Sequence, residues 1–398
     1  MALQPAAGAR DLNPREVEGN RRIRQQLAAV YRLWGYQEVD PPSVERLDTL
    51  AAGGGIATQE LVRLASDEPL GMRPELTASI ARAACTRMAG LPRPLRLWAD
   101  GNIFRSSQAN GGQQRIHQQI QSGVELLGVA STSADVELMR LLLAAAGTLG
   151  LQPLHKPCLL VGHHGLLEAL LAALPEGSRA GARAAITGYD PLALAALDLA
   201  PEQRTQLLEL IRLRGQPTIV LERLRGWLGA TPLLEQLADT LAVVAPAAKR
   251  LGVELQLDPS FQPHFALYDG LVLKLVCQGA FAPVEIASGG RYDALVGRFC
   301  SAEAMLSGEA AGVGFGFDVE SVRDLLNSAP FEAGRLAEAP VLVAYGATAL
   351  LGKAIDQLEQ LHAEAITAEL LSSPAGSQAD AVRIGLARGC SRTIWVDS

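Results

Sequence analysis

Three strand-like segments limit most tightly how this chain can fold. Ile103-Phe104-Arg105 and Ser122-Gly123-Val124-Glu125-Leu126-Leu127-Gly128 flank a polar stretch. Far downstream lies a glycine-rich strand, Gly312-Val313-Gly314-Phe315-Gly316-Phe317-Asp318, followed by Val319-Glu320-Ser321-Val322. The first two read as a strand pair across a short polar loop. A chain of 398 residues is long enough to bury a large core and suggests two or three domains.

Composition narrows the class. The hydrophobic fraction of 48% comes largely from alanine and leucine, and no run of eighteen apolar residues is free of charges or breakers, so no membrane span is expected. Met1-Ala2-Leu3-Gln4-Pro5 lacks the basic and apolar regions of a signal peptide, which points to cytoplasmic residence. The five cysteines, at 85, 158, 277, 300 and 390, are odd in number and widely spaced. They read as reduced, mostly buried thiols rather than a disulfide framework or a metal site. A formal charge of −7 disfavours a broad phosphate-binding surface.

Periodicity predicts a helix over residues 16–34, stopped by Gly35, then a short strand ended by Pro41-Pro42. Gly53-Gly54-Gly55 reads as a loop, without the lysine and context of a phosphate loop. Helices are predicted over 73–90 and 134–149 and from about Gly165 to Leu174, and strands over 94–105 and at Leu159-Leu160-Val161-Gly162. Trp98 and Phe104 read as core, and His163-His164 has no third ligand at metal spacing. Residues 175–251 switch to short alanine- and leucine-rich helices with nine basic against eight acidic residues from 176 to 250, a helical insertion with no net basic face. Two paired strands follow at 271–277 and 284–287. Past a linker at 328–340, strand–helix alternation over 338–398 predicts a small α/β unit.

Within this frame several side chains suit ligand recognition. Met72-Arg73-Pro74-Glu75-Leu76-Thr77 sets an acid and a threonine two residues apart, on one side of an extended segment, where both can accept from an ammonium group. The same residues also read as a helix start with an acidic first turn. Gln121 and Glu125 share a strand face by alternation. Together with Tyr268 ahead of Asp269-Gly270, and with Ser288-Gly289-Gly290-Arg291-Tyr292-Asp293, these segments resemble, in this order, the histidyl-tRNA synthetases and their paralogues. In that resemblance Ile103-Phe104-Arg105 falls in class II motif 2, residues 16–42 in motif 1, and the glycine-rich strand in motif 3. It covers about four fifths of the chain. It implies an α+β fold: a class II synthetase-like antiparallel sheet flanked by helices, with core parts at 1–174 and 252–328, the insertion at 175–251, and a C-terminal unit at 338–398 resembling a truncated anticodon-binding domain.

The departures from that pattern are selective. Ser321 stands where synthetases carry the motif 3 arginine, and Ser107 where motif 2 carries a glutamate. The loop from Ser106 to Gln114 is longer by two residues. Gln262-Pro263-His264-Phe265-Ala266-Leu267 lacks the catalytic arginine that precedes the pocket tyrosine; its place aligns near Pro263. Adenylation accumulates negative charge on phosphorus, and removing one preorganised donor typically costs about 10²–10³ in rate. His117, which carries no permanent charge, is a poor substitute for a fixed cation.

This combination is similar to the regulatory subunits of ATP phosphoribosyltransferase, synthetase paralogues without aminoacylation. The resemblance implies a non-catalytic partner of a short-form catalytic subunit in the first step of histidine biosynthesis. It also implies self-association through the class II dimer interface. Histidine is the implied ligand, with Glu75 and Thr77 at the ammonium, Arg105 at the carboxylate, and Gln121, Glu125 and Tyr268 around the remainder. Feedback would then be a coupling of about 1–3 kcal/mol. No catalytic residue, cofactor, metal, tRNA or membrane contact is expected. From Val341 to Ser398 four basic residues face six acidic ones, against an anticodon grip. A divergent histidyl-tRNA synthetase and a stand-alone amino-acid sensor on the same core are the alternatives.

Overall fold

A computed structural model describes residues 5–52, 57–108, 114–261, 267–302, 304, 309–328 and 339–397. The chain divides into two units, Met1–Ala329 and Pro330–Ser398. The first is built on an eight-stranded sheet in the order β1-β4-β5-β10-β9-β8-β6-β7. These are β1 Gln37–Glu38, β4 Leu95–Gln108, β5 Gln114–Leu127, β6 Cys158–His163, β7 Glu254–Leu257, β8 Leu271–Gln278, β9 Pro283–Arg291 and β10 Gly312–Asp318. A separate antiparallel pair joins β2 Val44–Arg46 to β3 Leu70–Met72. The expected antiparallel sheet holds from β4 through β6, while the edge strands β1 and β7 pair parallel to their neighbours.

The glycine-rich strand explains the architecture around it. Period-two alternation puts Val313, Phe315 and Phe317, all buried, on one face, against Tyr31 of helix Pro14–Leu33 and Val322 of helix Val319–Ser328. Gly312, Gly314 and Gly316 fall on the other face, where Tyr292 and Val296 crowd the first and the β5 residues Val124, Glu125 and Gln121 crowd the other two, too close for a Cβ. The sheet is packed on both faces: the main core covers one, and a second apolar cluster with Leu97, Ala99, Leu127, Leu295 and Val296 covers the other, where the glycines leave space for neighbouring side chains. Helix Pro14–Leu33 opens with a capping box, Asn13 accepting from Glu16 N while Glu16 accepts from Asn13 N.

Residues 176–250 form five helices: Glu176–Thr187, Pro191–Ala196, Pro201–Leu210, Pro217–Leu228 and Pro232–Arg250. Four of the five begin at proline, whose fixed φ and missing N–H cost nothing in a first turn. Their leucines, among them Leu207, Leu224 and Leu241, join the main core through the contact of Pro232–Arg250 with helix Thr132–Thr148. In the second unit β11 Val341–Tyr345 lies between β12 Ala368–Leu370 and β13 Arg392–Val396, all parallel. Leu342 and Ala344 pack on the face that also buries Ala381 of helix Gln378–Ala387. Val343 and Tyr345 pack on the face that also buries Ala354 and Leu361 of helix Leu351–Ala363, so β11 is covered on both sides.

Three expectations are corrected. Cys85 and Cys300 are paired as a disulfide, with Cα atoms 5.2 Å apart, so these two cysteines are not free thiols. A separation of 215 residues hid the pairing, because only tertiary packing brings helices Thr77–Cys85 and Asp293–Phe299 together. Cys158, Cys277 and Cys390 are free. The helix predicted over 73–90 runs only from Thr77 to Cys85. Ser106 and Ser107 belong to β4 and Gln114 to β5, so these positions are strand residues rather than loop. Gly53-Gly54-Gly55 and positions 262–266 lie outside the described residues.

The Ser288–Asp293 motif centres on a buried ion-pair network. Arg291, 8% exposed, donates to Asp135 Oδ1 at 3.1 Å, to the carbonyls of Val129 and Ser131 at 3.2 Å, and to Asp293 Oδ1 at 3.2 Å. Removing one partner of such a pair leaves the other as an uncompensated buried charge. Arg291→Ala is expected to destabilise the first unit by roughly 3–5 kcal/mol, read from chemical denaturation; a loss below about 1 kcal/mol would contradict that reading.

Candidate functional site

The glycine-floored face of the sheet carries a cluster of polar side chains. Register aligns Glu125 of β5 with Gly314 of β10 and Leu97 of β4, and aligns Gln121 with Asp318 and Gly101. A Cβ on Gly314 would collide with the Glu125 carboxylate, and one on Gly316 would lie 2.6 Å from Gln121 Nε2. Both side chains therefore lie flat over strand β10 in space that only glycine leaves open. Gly290 of β9 does the same for Tyr268, whose ring would stand 2.7 Å from a Cβ there.

Glu125, 3% exposed, is the centre of the cluster. Thr77 Oγ1 donates to its Oε1 at 2.6 Å, and the Tyr292 hydroxyl donates to its Oε2. Burial pushes its carboxyl up to about 8; the donors Thr77 and Tyr292 oppose that rise, and the nearby Glu75 charge adds to it. Burial also raises Glu75, against the N–H donors at the helix start and the Arg105 charge. Tyr268 and Tyr292 are held neutral, first by burial and then by the Glu125 carboxylate.

Glu75 and Thr77 do not sit on an extended segment. Leu76 is in the right-handed helical region and Thr77 is the first helical residue. Glu75 caps that helix, accepting from Ala78 N at 3.0 and 3.2 Å. The two alternatives for this segment therefore coincide: it is a capped helix start whose cap faces the cluster. Leu76 N donates to Gln121 Oε1 at 3.0 Å, and Arg105 Nε donates to Pro74 O at 3.1 Å, tying the segment to β5 and β4.

The structure thus brings Glu75, Thr77, Arg105, Gln121, Glu125 and Tyr268 into one neighbourhood. Tyr292 completes it and was not singled out from the sequence, although it stands in the Ser288–Asp293 motif. Its role arises because β9 ends at Arg291, leaving Tyr292 to cap the next helix and turn its hydroxyl inward. Two carboxyls, one threonine and two tyrosines make an enclosed acceptor-rich site. It suits a ligand that presents N–H donors or positive charge, with Arg105 nearby for a carboxylate.

Two cavities border the cluster. One, of about 240 Å³, is lined by Arg105, Gln119, Gln121, Glu285, Ser288 and Asp318 among others. The second, of about 480 Å³, is lined by Gln59, Glu60, Arg105, Ser106, Ser107, His117 and Gln119. Arg105 is the only arginine or lysine among the described residues of either lining. Ser107 Oγ and His117 Nε2 lie 2.8 Å apart. Ser321 sits in the first turn of its helix with its N–H on Asp318 Oδ1 at 3.0 Å. Arg323, two residues on, is 2% exposed and donates to Asn20 Oδ1 at 3.1 Å and to Asp324 Oδ1 at 2.8 Å, so it is engaged with helix Pro14–Leu33. His163 accepts from Gly165 N as a helix cap. Among the described residues no group of three or more metal-ligating side chains comes together, and no helix is long and apolar enough to cross a membrane.

The sequence pattern of the histidyl-tRNA synthetase family matches residues 8–322. An ATP phosphoribosyltransferase regulatory subunit from Synechococcus sp. strain RCC307 is 51% identical over 396 residues, covering 100% of both chains. Its counterpart from Prochlorococcus marinus strain MIT 9313 is 50% identical over 397 residues, again across 100% of both. A crystal structure of an ATP phosphoribosyltransferase regulatory subunit/histidyl-tRNA synthetase from Bacillus halodurans superposes with a TM-score of 0.79 at 23% identity, covering 99% of this chain and 98% of that one.

Proposed function

The chain belongs to the ATP phosphoribosyltransferase regulatory subunits, a family with the class II histidyl-tRNA synthetase fold, and from that premise we propose that it activates a short-form catalytic subunit and reports histidine to it. In this reading the chain carries out no phosphoribosyl transfer and no aminoacylation. It works in the cytoplasm, in the first step of histidine biosynthesis, and self-associates through the class II dimer interface. Residues 1–174 and 252–328 serve as the synthetase-like core, 175–251 as an inserted helical segment, and 338–398 as a truncated relative of an anticodon-binding domain.

One observation carries the proposal: Thr77 and Tyr292 converge on Glu125 in one acceptor-rich cluster with Glu75 and Gln121, while the neighbouring cavities hold Arg105 as their only arginine or lysine among the described residues. The pocket matches an amino acid with an ammonium group and a nitrogen-bearing ring. Glu75 and Thr77 would meet the ammonium, Arg105 the carboxylate, and Gln121, Glu125 and Tyr268 the rest. The cavities match a triphosphate poorly, since Glu60, Glu285 and Asp318 would face it with one guanidinium in compensation.

Mixing the purified chain with a short-form catalytic subunit is expected to produce ATP phosphoribosyltransferase activity well above that of the catalytic subunit alone, and histidine should suppress it. Histidine-dependent ATP–pyrophosphate exchange by the chain alone should be undetectable. No activation in the mixture would remove the regulatory reading. Robust exchange would instead establish a divergent histidyl-tRNA synthetase. Histidine binding without activation would leave a stand-alone sensor.

A further inference from the structure

We propose that Cys85 and Cys300 form a reversible redox bridge that sets how firmly the buried acidic pocket is held. Two helices run between the same two points. Helix Thr77–Cys85 starts with the Thr77 hydroxyl on Glu125 Oε1 and ends at Cys85. Helix Asp293–Phe299 is capped at its start by Tyr292, whose hydroxyl donates to Glu125 Oε2, and at its end by Cys300. The near ends meet on one carboxylate and the far ends meet in one disulfide, with a Cα separation of 5.2 Å that suits the bond.

Between these ends the helices touch through small and medium apolar side chains, Ala81, Ala84, Leu295 and Val296. Such a contact permits sliding more readily than an interlocked one, so the covalent link contributes to the register of the pair. Both cysteines are partly exposed, within reach of a small dithiol. Cys158 and Cys277 differ: burial raises their thiols to about 11 and about 12, so neither is a thiolate at neutral pH.

The chemistry balances with a dithiol reductant. One of its thiolates attacks a sulfur of the bridge, breaking the Cys85–Cys300 bond and forming a mixed disulfide. Its second thiolate then displaces the protein sulfur. Two electrons and two protons pass to Cys85 and Cys300, and the reductant leaves as its own disulfide. The far ends of both helices are then free, and the hydroxyls on Glu125 lose their anchor.

The test uses the full chain, oxidised with glutathione disulfide or reduced with dithiothreitol. Alkylation under denaturing conditions followed by mass measurement should count three thiols in the oxidised form and five in the reduced one. Amide exchange over residues 77–85 and 292–299 should speed up about tenfold on reduction and recover on reoxidation. The histidine dissociation constant, by calorimetry, should rise about tenfold. Cys85→Ser and Cys300→Ser should each behave as the reduced protein whatever the reductant, whereas Cys158→Ser should keep the sensitivity. Five alkylatable thiols after oxidation, or equal exchange in both states, would overturn the proposal. Only the affinity arm rests on histidine as the ligand: no binding in either state would sink that reading and leave the bridge to be judged by exchange alone.

Discussion

Glu125→Gln is expected to weaken histidine binding on the order of a hundred-fold, while making the ligand-free chain more stable at alkaline pH than the parent. The two effects have one cause. Glu125 is a carboxyl buried beside a second carboxyl, Glu75, and its pKa in the folded chain stands at about 8 against an ordinary 4.5. The folded state therefore holds this proton more tightly than the unfolded state. Stability contributed by the group is fully present below pH 4.5, falls as pH rises through the window from 4.5 to 8, and stays low above it. Glutamine is neutral throughout, so the gap between variant and parent should be small at pH 4.5 and largest above pH 8, as a difference in melting temperature. A pH-independent gap would refute the assignment.

Affinity moves the other way, because a protonated ligand ring donating to Glu125 is what makes its ionised form favourable. Losing one member of a buried charge pair typically costs about 2–5 kcal/mol, a factor of thirty to several thousand. Calorimetry at pH 7 reads this directly. Unchanged binding would mean that the ligand does not reach Glu125.

Gly314→Ala is expected to be as damaging by a different route. The new methyl would fall on the Glu125 carboxylate, with Glu125 Cδ and Val124 O each 2.6 Å away. The backbone oxygen belongs to a central strand pair and cannot yield, so either Glu125 leaves its bonds to Thr77 and Tyr292 or β10 shifts away from β5. Overpacking of this kind costs about 1–3 kcal/mol, and releasing a buried carboxyl adds to it. The expectation is a loss of about 3 kcal/mol or more together with loss of ligand binding. Gly226, inside helix Pro217–Leu228 with nothing within 4 Å of a built Cβ, is the control. Alanine there should raise stability by about 0.5–1 kcal/mol. A tolerated Gly314→Ala would show that the glycines do not shape the site.

Much of this is legible in the sequence. The central strands were recognisable because alternation and turn residues are local signals, and Gln121 and Glu125 share a face for the same reason. Very short strands escaped: β2, β3 and β12 have three residues each, too few to show a period. Glu75 and Thr77 lie in one cluster on a capped helix start, and two-residue spacing cannot distinguish that from an extended segment facing the same strand.

The sequence by itself determined the class of fold and the family, because residue identity and order along the chain carry that information without contacts. Tertiary structure alone decided what Glu125 is. Its partner Tyr292 lies 167 residues away, its floor is Gly314 of a strand still further on, and Cys85 meets Cys300 across 215 residues. Burial, proton affinity and disulfide pairing depend on what folding brings near, and no local pattern in the chain records those distances.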